Sequence, residues 1–120
     1  MNLDKLSKKL RALAECSNHR QHRMACAIFK KKKPVSFGWN MVKSHTKSIA
    51  SYNMLHAEIS ALLGIDYYTT KGCVAYVYRE NRQGEPAMAK PCGGCELALK
   101  LAGIKKVFYS SNKGWQEMEI

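Results

Sequence analysis

Apolar residues recur along the chain with two different periods, and the switches between them mark out the elements. Leu3, Leu6, Leu10 and Leu13 fall three to four residues apart with Lys and Arg between them. This predicts an amphipathic first helix ending near Cys16. Ser17-Asn18 breaks the pattern. Met24–Phe29 (MACAIF) and Val35–Trp39 (VSFGW) then read as strands, with the Lys30–Pro34 segment as the hairpin turn between them. A polar stretch, Lys43–Asn53, follows.

Leu55–Leu63 (LHAEISALL) is helix-forming and apolar on one side, and Gly64 stops it. Cys73–Tyr78 (CVAYVY) is β-branched and aromatic, which predicts a third strand. Glu80–Ala89 reads as a loop, and Cys95–Ala102 as a helix stopped by Gly103. Val107–Ser110, the Ser111–Gly114 turn and Trp115–Ile120 read as a closing hairpin. The predicted order is α-β-β-α-β-α-β-β. That interleaving favours an α/β fold, a mixed sheet covered by helices on both faces. With no repeat or linker, residues 1–120 read as one domain.

Two segments carry candidate chemistry: His56-Ala57-Glu58 and Pro91-Cys92-Gly93-Gly94-Cys95. Each opens a predicted helix. A CxxC at a helix start puts both sulfurs on one face, where the helix N-terminus favours the metal-binding thiolate. His56, Cys92 and Cys95 make three ligands. Zinc takes four in a tetrahedron, and a catalytic site keeps one place for water. No second CxxC completes a closed site. Glu58, two residues after a ligand, is placed to move protons without binding the metal. H-x-E followed by P-C-x-x-C is the signature of zinc-dependent nucleobase deamination. Two alternatives use the same cysteines. A thioredoxin-like dithiol needs a proline loop downstream, and no proline follows Cys95. A structural zinc site needs a fourth ligand such as His45.

These residues resemble the cytidine deaminase-like superfamily from about Met24 to Ser110. Gly38-Trp39-Asn40, HAEISAL and KPCGGCELALKLAGIKKVFYS carry the resemblance. The last segment is similar to small deoxycytidylate-deaminase-like proteins of phages and bacteria. The resemblance implies a three-layer α/β/α sandwich with a mixed five-stranded sheet and Zn2+ between the two motif helices. It implies a substrate hydrogen bond from Asn40, a base-carbonyl contact from the Ala57 N–H, and an amine contact from the Lys90 carbonyl. It also offers Tyr109 as a base-packing aromatic, against the alternative of a sheet-face tyrosine. A homo-oligomer is expected on the same ground. The long Glu80–Ala89 loop, the Lys at position 90 and the closing hairpin depart from tRNA adenosine deaminases, and favour cytosine in a small substrate.

Charge adds one distinction. The net charge is +11, with 12 Lys/Arg against 3 Asp/Glu in residues 1–60 and 8 against 6 in residues 61–120. Such a balance favours anionic partners: nucleotides, or nucleic acid. Arg20, His22, Arg23, Lys43, His45 and Lys47 fall on the expected active-site side, as a candidate phosphate-binding rim with Arg23 and His45 foremost. Lys30–Lys33 falls at the opposite end and reads as a solvated turn. The expected function is deamination of cytosine in a nucleotide or nucleoside. The alternatives are a deaminase of single-stranded DNA or RNA, and a non-catalytic zinc-stabilised module that binds nucleic acid. Five cysteines with one close pair argue against a disulfide framework, so Cys16, Cys26 and Cys73 are expected as buried small hydrophobes. No apolar run approaches the roughly 20 residues of a membrane span, and no signal-peptide centre is evident, so a cytoplasmic protein is expected.

Overall fold

A computed structural model describes residues 3–18, 22–42 and 54–120. Its elements are α1 (Leu3–Ala14), β1 (Arg23–Lys30), β2 (Lys33–Trp39), β3 (Met41–Val42), β4 (Met54–Leu55) and α2 (Ala57–Leu62). They continue with α3 (Tyr67–Thr70), β5 (Val74–Glu80), β6 (Pro86–Ala87), α4 (Gly93–Leu101), β7 (Lys106–Tyr109) and β8 (Gln116–Glu119). The main sheet runs β2-β1-β5-β7-β8, with β6 paired to β5 beside that path. Among the described residues only β5 and β7 are parallel; the other pairs are antiparallel. A parallel neighbour needs a crossover, and α4 supplies it.

Strand alternation divides the core into two layers. Ala25, Ala27 and Phe29 of β1 and Tyr78 of β5 pack with Leu6, Leu10 and Ala14 of α1. Cys26, Ile28, Ala75 and Val77 face the other way, with Ala57 and Ala61 of α2 and Leu99 of α4. The result is the expected three-layer mixed sandwich, with β6 added to its five main strands. α1 is further tied to β5 by Arg11, whose Nε lies 3.3 Å from Oε1 of buried Glu80.

The structure departs from the sequence reading in several places. β1 and β2 run on through Lys30 and Lys33, which leaves only Lys31-Lys32 as the turn. Lysine side chains reach water from hairpin ends while the backbone stays paired. Pro34 is tolerated because β2 is an edge strand, and the register shifts opposite it, between Ile28 and Phe29. α2 and α4 begin at Ala57 and Gly93, which makes His56 and Cys92 their N-caps. α3, β3, β4 and β6 are additional, each two to four residues long. Such pieces carry no detectable period. The single turn of α3 is held by Asp66, whose Oδ1 accepts from the Thr69 N–H at 2.8 Å. Cys26 and Cys73 are buried as expected, but Cys16 is exposed, beyond the apolar stripe of α1.

One close approach sets the depth of α2. Gly38 of β2 lies against the α2 backbone, and a Cβ there would stand 2.8 Å from the Ala57 oxygen and collide with the Ala61 nitrogen. Backbone atoms cannot swing aside. Gly38→Ala is therefore expected to destabilise the protein by about 1–3 kcal/mol, as overpacking does. It should also weaken zinc binding, because α2 carries His56. Chemical denaturation and chelator competition on the variant measure both effects.

Candidate active site

The N-termini of α2 and α4 converge and bring His56, Cys92 and Cys95 together. His56 caps α2 in extended backbone (φ −72°, ψ 149°), and its carbonyl accepts the Ser60 N–H at 2.9 Å. Cys92 caps α4 in the same way (φ −69°, ψ 167°), and its carbonyl accepts the Glu96 N–H at 2.8 Å. Cys95 follows within the first turn, so both thiols project to one side.

His56 Nδ1 lies 3.3 Å from Cys95 Sγ and 3.8 Å from Cys92 Sγ. All three donor atoms fall within 4.8 Å of one another, the one such cluster among the described residues. A tetrahedral zinc with bonds of about 2.3 Å to sulfur and about 2.05 Å to nitrogen needs S···N separations of about 3.6 Å. The observed pair of distances brackets that value, and one imidazole with two thiols is a donor set that zinc accepts. The residues fit the metal, and His45 lies outside the described residues.

Glu58 sits beside this cluster, 2% exposed. Its Oε1 has no hydrogen-bond partner. Burial raises its pKa above the ordinary carboxyl value, opposed by its own backbone N–H, by His56 and by Cys95. A buried carboxylate with one oxygen unpartnered is costly to the fold, and a structural zinc site has no use for one. Burial also pushes up the Cys95 thiol, with Glu58 adding to the effect. At Cys95, desolvation thus overrides the helix N-terminus that the sequence argument invoked. Cys26 lies just behind, and burial, Glu58 and Cys95 all raise its thiol.

A chamber of about 180 Å³ opens above the cluster, lined by His22, Met24, Asn40, His56, Glu58, Arg79, Met88, Lys90 and Cys92. Asn40 and Lys90 are therefore where the sequence reading put them, and Ala57 is buried at the first position of α2. Asn40 is 1% exposed and also holds the start of β1. Its Oδ1 accepts the Met24 N–H at 2.9 Å, and its Nδ2 donates to the His22 carbonyl. Arg23 is a correction. It shares the parity of Ala25 and Ala27, stands opposite Glu80 in the ladder, and so faces the α1 layer rather than the chamber. Tyr109 packs against the core on the α2 and α4 side and is not among the chamber's lining residues, so the sheet-face alternative describes it. Arg20, Lys43, His45 and Lys47 lie outside the described residues.

Sequence reasoning missed Arg79 and Ser110. Buried Ser110 accepts the Arg79 N–H at 3.0 Å, donates to the Ala87 carbonyl at 2.8 Å, and accepts the Ala89 N–H on its own carbonyl at 2.9 Å. It thereby ties the end of β5 to the segment that delivers Lys90-Pro91-Cys92. Nothing in the local pattern distinguishes that serine from a strand-end residue.

The protein is expected to bind one zinc per chain, and Cys92→Ser, Cys95→Ser or His56→Ala to lower the bound metal by at least about tenfold, measured by metal analysis after dialysis. Because the raised pKa keeps Cys95 protonated in the metal-free protein at neutral pH, zinc must displace that proton. Chelator competition should then show affinity falling as pH falls, by about tenfold per pH unit for each proton displaced.

Residues 1–111 match the model of the cytidine and deoxycytidylate deaminase zinc-binding region. Among solved structures, the dCMP deaminase of cyanophage S-TIM5 is similar at TM-score 0.65 and 21% identity, over 88% of this chain and 79% of that one. The cytidine deaminase of Mycobacterium leprae is similar at TM-score 0.63 and 25% identity, over 98% and 93%. That of Burkholderia pseudomallei is similar at TM-score 0.69 and 17% identity, over 99% and 93%. A comparison with curated proteins by sequence finds no match. With the donor cluster, the buried glutamate and a family match over nearly the whole chain, this protein belongs to the cytidine and deoxycytidylate deaminases, zinc-dependent hydrolases that act on a C–N bond.

Proposed function

We propose that the chain deaminates cytosine in a free nucleoside or nucleotide, with Glu58 as its proton carrier. The observation that carries this reading is the placement of Glu58: a buried carboxylate with an unpartnered oxygen, at the floor of a small chamber, beside three zinc donors. Zinc bound there supplies Lewis acidity and brings the pKa of water down to about 7.

The chain's own groups do the rest. The Ala57 N–H, at the first position of α2, has no acceptor within its helix and holds the carbonyl oxygen of the base. The Lys90 carbonyl accepts from the exocyclic amine and turns it towards the cluster. Glu58 takes one proton from the attacking water and delivers it to the ring nitrogen, then takes the second from the newly added hydroxyl and passes it to the leaving amine as the carbonyl forms. Water is consumed, the C–N bond breaks, and a uracil carbonyl and ammonia result. A carboxyl whose proton affinity is raised by burial suits that work, because it holds a proton more readily than an ordinary carboxylate and can still return it.

The size of the chamber supports a small substrate. So does the position of the β1–β2 turn and the four lysines, Lys30–Lys33, at and beside it. β1 begins at the chamber and ends at Lys30, and seven residue steps of about 3.3 Å put that turn roughly 23 Å away. Among the described residues, the run of four lysines therefore lies far from the chemistry.

Glu58→Gln preserves shape and removes the proton carrier. It is expected to lower kcat for cytosine nucleosides and nucleotides by a factor of about 10² to 10⁴ with zinc content unchanged. The metal-free variant should be at least as stable as the natural protein, since a buried ionisable group has been removed. Ammonia release, metal analysis and denaturation on the two proteins check the three statements. Full activity in the variant would contradict the role of Glu58.

A further inference from the structure

The end of the sheet away from the chamber carries charge that the zinc site does not use. β1 ends at Lys30 and β2 begins at Lys33, so four consecutive lysines surround one tight turn. All four are exposed, and with Val35 they line a hollow of about 760 Å³. Lys32 also lines a second hollow, of about 500 Å³, together with Lys5 and Lys9 of α1. Lys105 joins the same end of the sheet, where its N–H bonds the Cys73 carbonyl at 2.9 Å. The Cys73 thiol feels both Lys30 and Lys105, which pull its pKa down against the larger effect of burial.

These like charges are held together against local preference. Lys31 has φ +57° and is the one non-glycine with a positive φ among the described residues. A two-residue hairpin turn favours asparagine, aspartate or glycine at such a position. A lysine kept there despite the strain is a pointer to function. Among the described residues no carboxylate lies within ion-pair distance of Lys31, Lys32 or Lys33. Asp66 feels the charge of Lys30, but its Oδ1 already accepts from the Thr69 N–H and hydroxyl. Lys106, on the neighbouring strand end, is matched by Glu117 at 3.4 Å. The turn lysines therefore lack a counter-charge among the described residues, and a polyanion supplies one.

An aromatic platform stands beside them. Lys30 Nζ donates to the Tyr68 carbonyl at 3.5 Å, which ties α3 to the hairpin. Tyr68 is 83% exposed and Tyr67 48%, so neither ring is there to fill the core. The two rings meet edge to face with centroids 5.9 Å apart, and Lys71 Nζ lies 6.0 Å from the Tyr67 centroid. The platform is fixed from below. Thr70 Oγ1 donates to the Ala102 carbonyl at 2.7 Å, and Asp66 caps the turn at the Thr69 N–H. An exposed aromatic face on rigid backbone, set among cations, takes an unpaired base by stacking while the cations take its phosphates.

We propose that this end of the molecule is a docking surface for single-stranded nucleic acid, with Lys31, Lys32 and Lys33 on the phosphates and Tyr68 stacked on a base. The strand is a partner rather than the substrate. Along β5, five residue steps of about 3.3 Å separate Val74 at this end from Arg79 at the chamber, roughly 16 Å. A duplex keeps its bases paired and away from Tyr68. A lipid surface calls for apolar side chains at the hairpin tip, where Lys31 and Lys32 stand instead. Docking here is independent of which base the chamber deaminates.

Fluorescence anisotropy of the zinc-loaded protein with labelled oligothymidylate and oligouridylate of about 12 nucleotides tests this, since neither strand contains cytosine. The other arms are a duplex of equal length, phosphatidylserine vesicles, and a cytosine-containing strand assayed for deamination. The variants are Lys31→Gly, Lys32→Gln with Lys33→Gln, and Tyr68→Ala. Lys8→Gln with Lys113→Gln removes the same charge near Gly114, at the other end of the sheet. Thermal denaturation and turnover of free cytidine accompany each protein. Three to four phosphate contacts should lower log affinity by about 2–3 per tenfold rise in salt, at about 0.7 for each contact in a single strand. Lys32→Gln with Lys33→Gln should reduce that slope by about 1.4. Lys31→Gly should weaken binding while the fold stays as stable or gains stability. Tyr68→Ala should weaken binding by at least about fivefold, and the duplex should bind more weakly than the single strand. The charge control should bind like the natural protein, and cytidine turnover should be the same in all. An equal loss in the charge control assigns binding to net charge and overturns the surface. Binding indifferent to Tyr68, tighter binding of the duplex, or preference for vesicles overturns it too. Deamination of the bound strand that depends on Lys31–Lys33 overturns the role of partner. Docking without cytidine turnover upholds the surface and bears on the proposed function alone.

Discussion

Three donor atoms from two distant parts of the chain must meet within a zinc's reach, and that requirement organises the whole molecule. His56 and Cys92 are 36 residues apart, yet Cys92 Sγ and His56 Nδ1 stand 3.8 Å from one another. Two helices can deliver side chains to one point only if both start there and both rest on a common sheet. Gly38 lets α2 sink against β2. Ser110 fixes the approach to α4. The central strands, buried on both faces, form the platform beneath them.

The same convergence creates the site's chemistry. Helix starts leave backbone N–H groups without helical acceptors, so the polarity that faces the chamber comes partly from the fold itself. Glu58 is carried into that setting two residues after a ligand, and its burial raises its affinity for a proton. Stability is given up locally at Glu58 and again at Arg79, both of which hold a buried polar atom without a partner. Both residues line one cleft, whereas a third such atom, Glu80 Oε2, lies on the α1 face. The Arg11–Glu80 pair on the α1 face keeps the intervening acid away from that cleft.

Much of this was readable before any coordinates. The leucine period of α1, the alternation in β1 and β5, and the turn between β7 and β8 are long-range patterns with strong physical causes. The ligand set was readable because zinc chemistry restricts both residue type and spacing. Other features were hidden for identifiable reasons. Two-residue strands and the single turn of α3 are too short to show a period. Helix starts were misplaced because His56 and Cys92 cap through backbone geometry, without a side-chain hydrogen bond that a capping signature would announce. Chain position alone puts Arg23 at the rim, but strand alternation turns it to α1; Arg79, at the end of β5, is turned to the cleft. Cys16 looked like a small apolar residue and lies one step beyond the stripe.

The central claim is that the zinc held here keeps a coordination place open for chemistry. X-ray absorption at the zinc edge of the metal-loaded protein tests it most directly. The account predicts two sulfur scatterers at about 2.3 Å, one imidazole at about 2.0–2.1 Å, and one further light atom with no imidazole shell of its own. A fourth sulfur, or a second imidazole closing the tetrahedron, would contradict it.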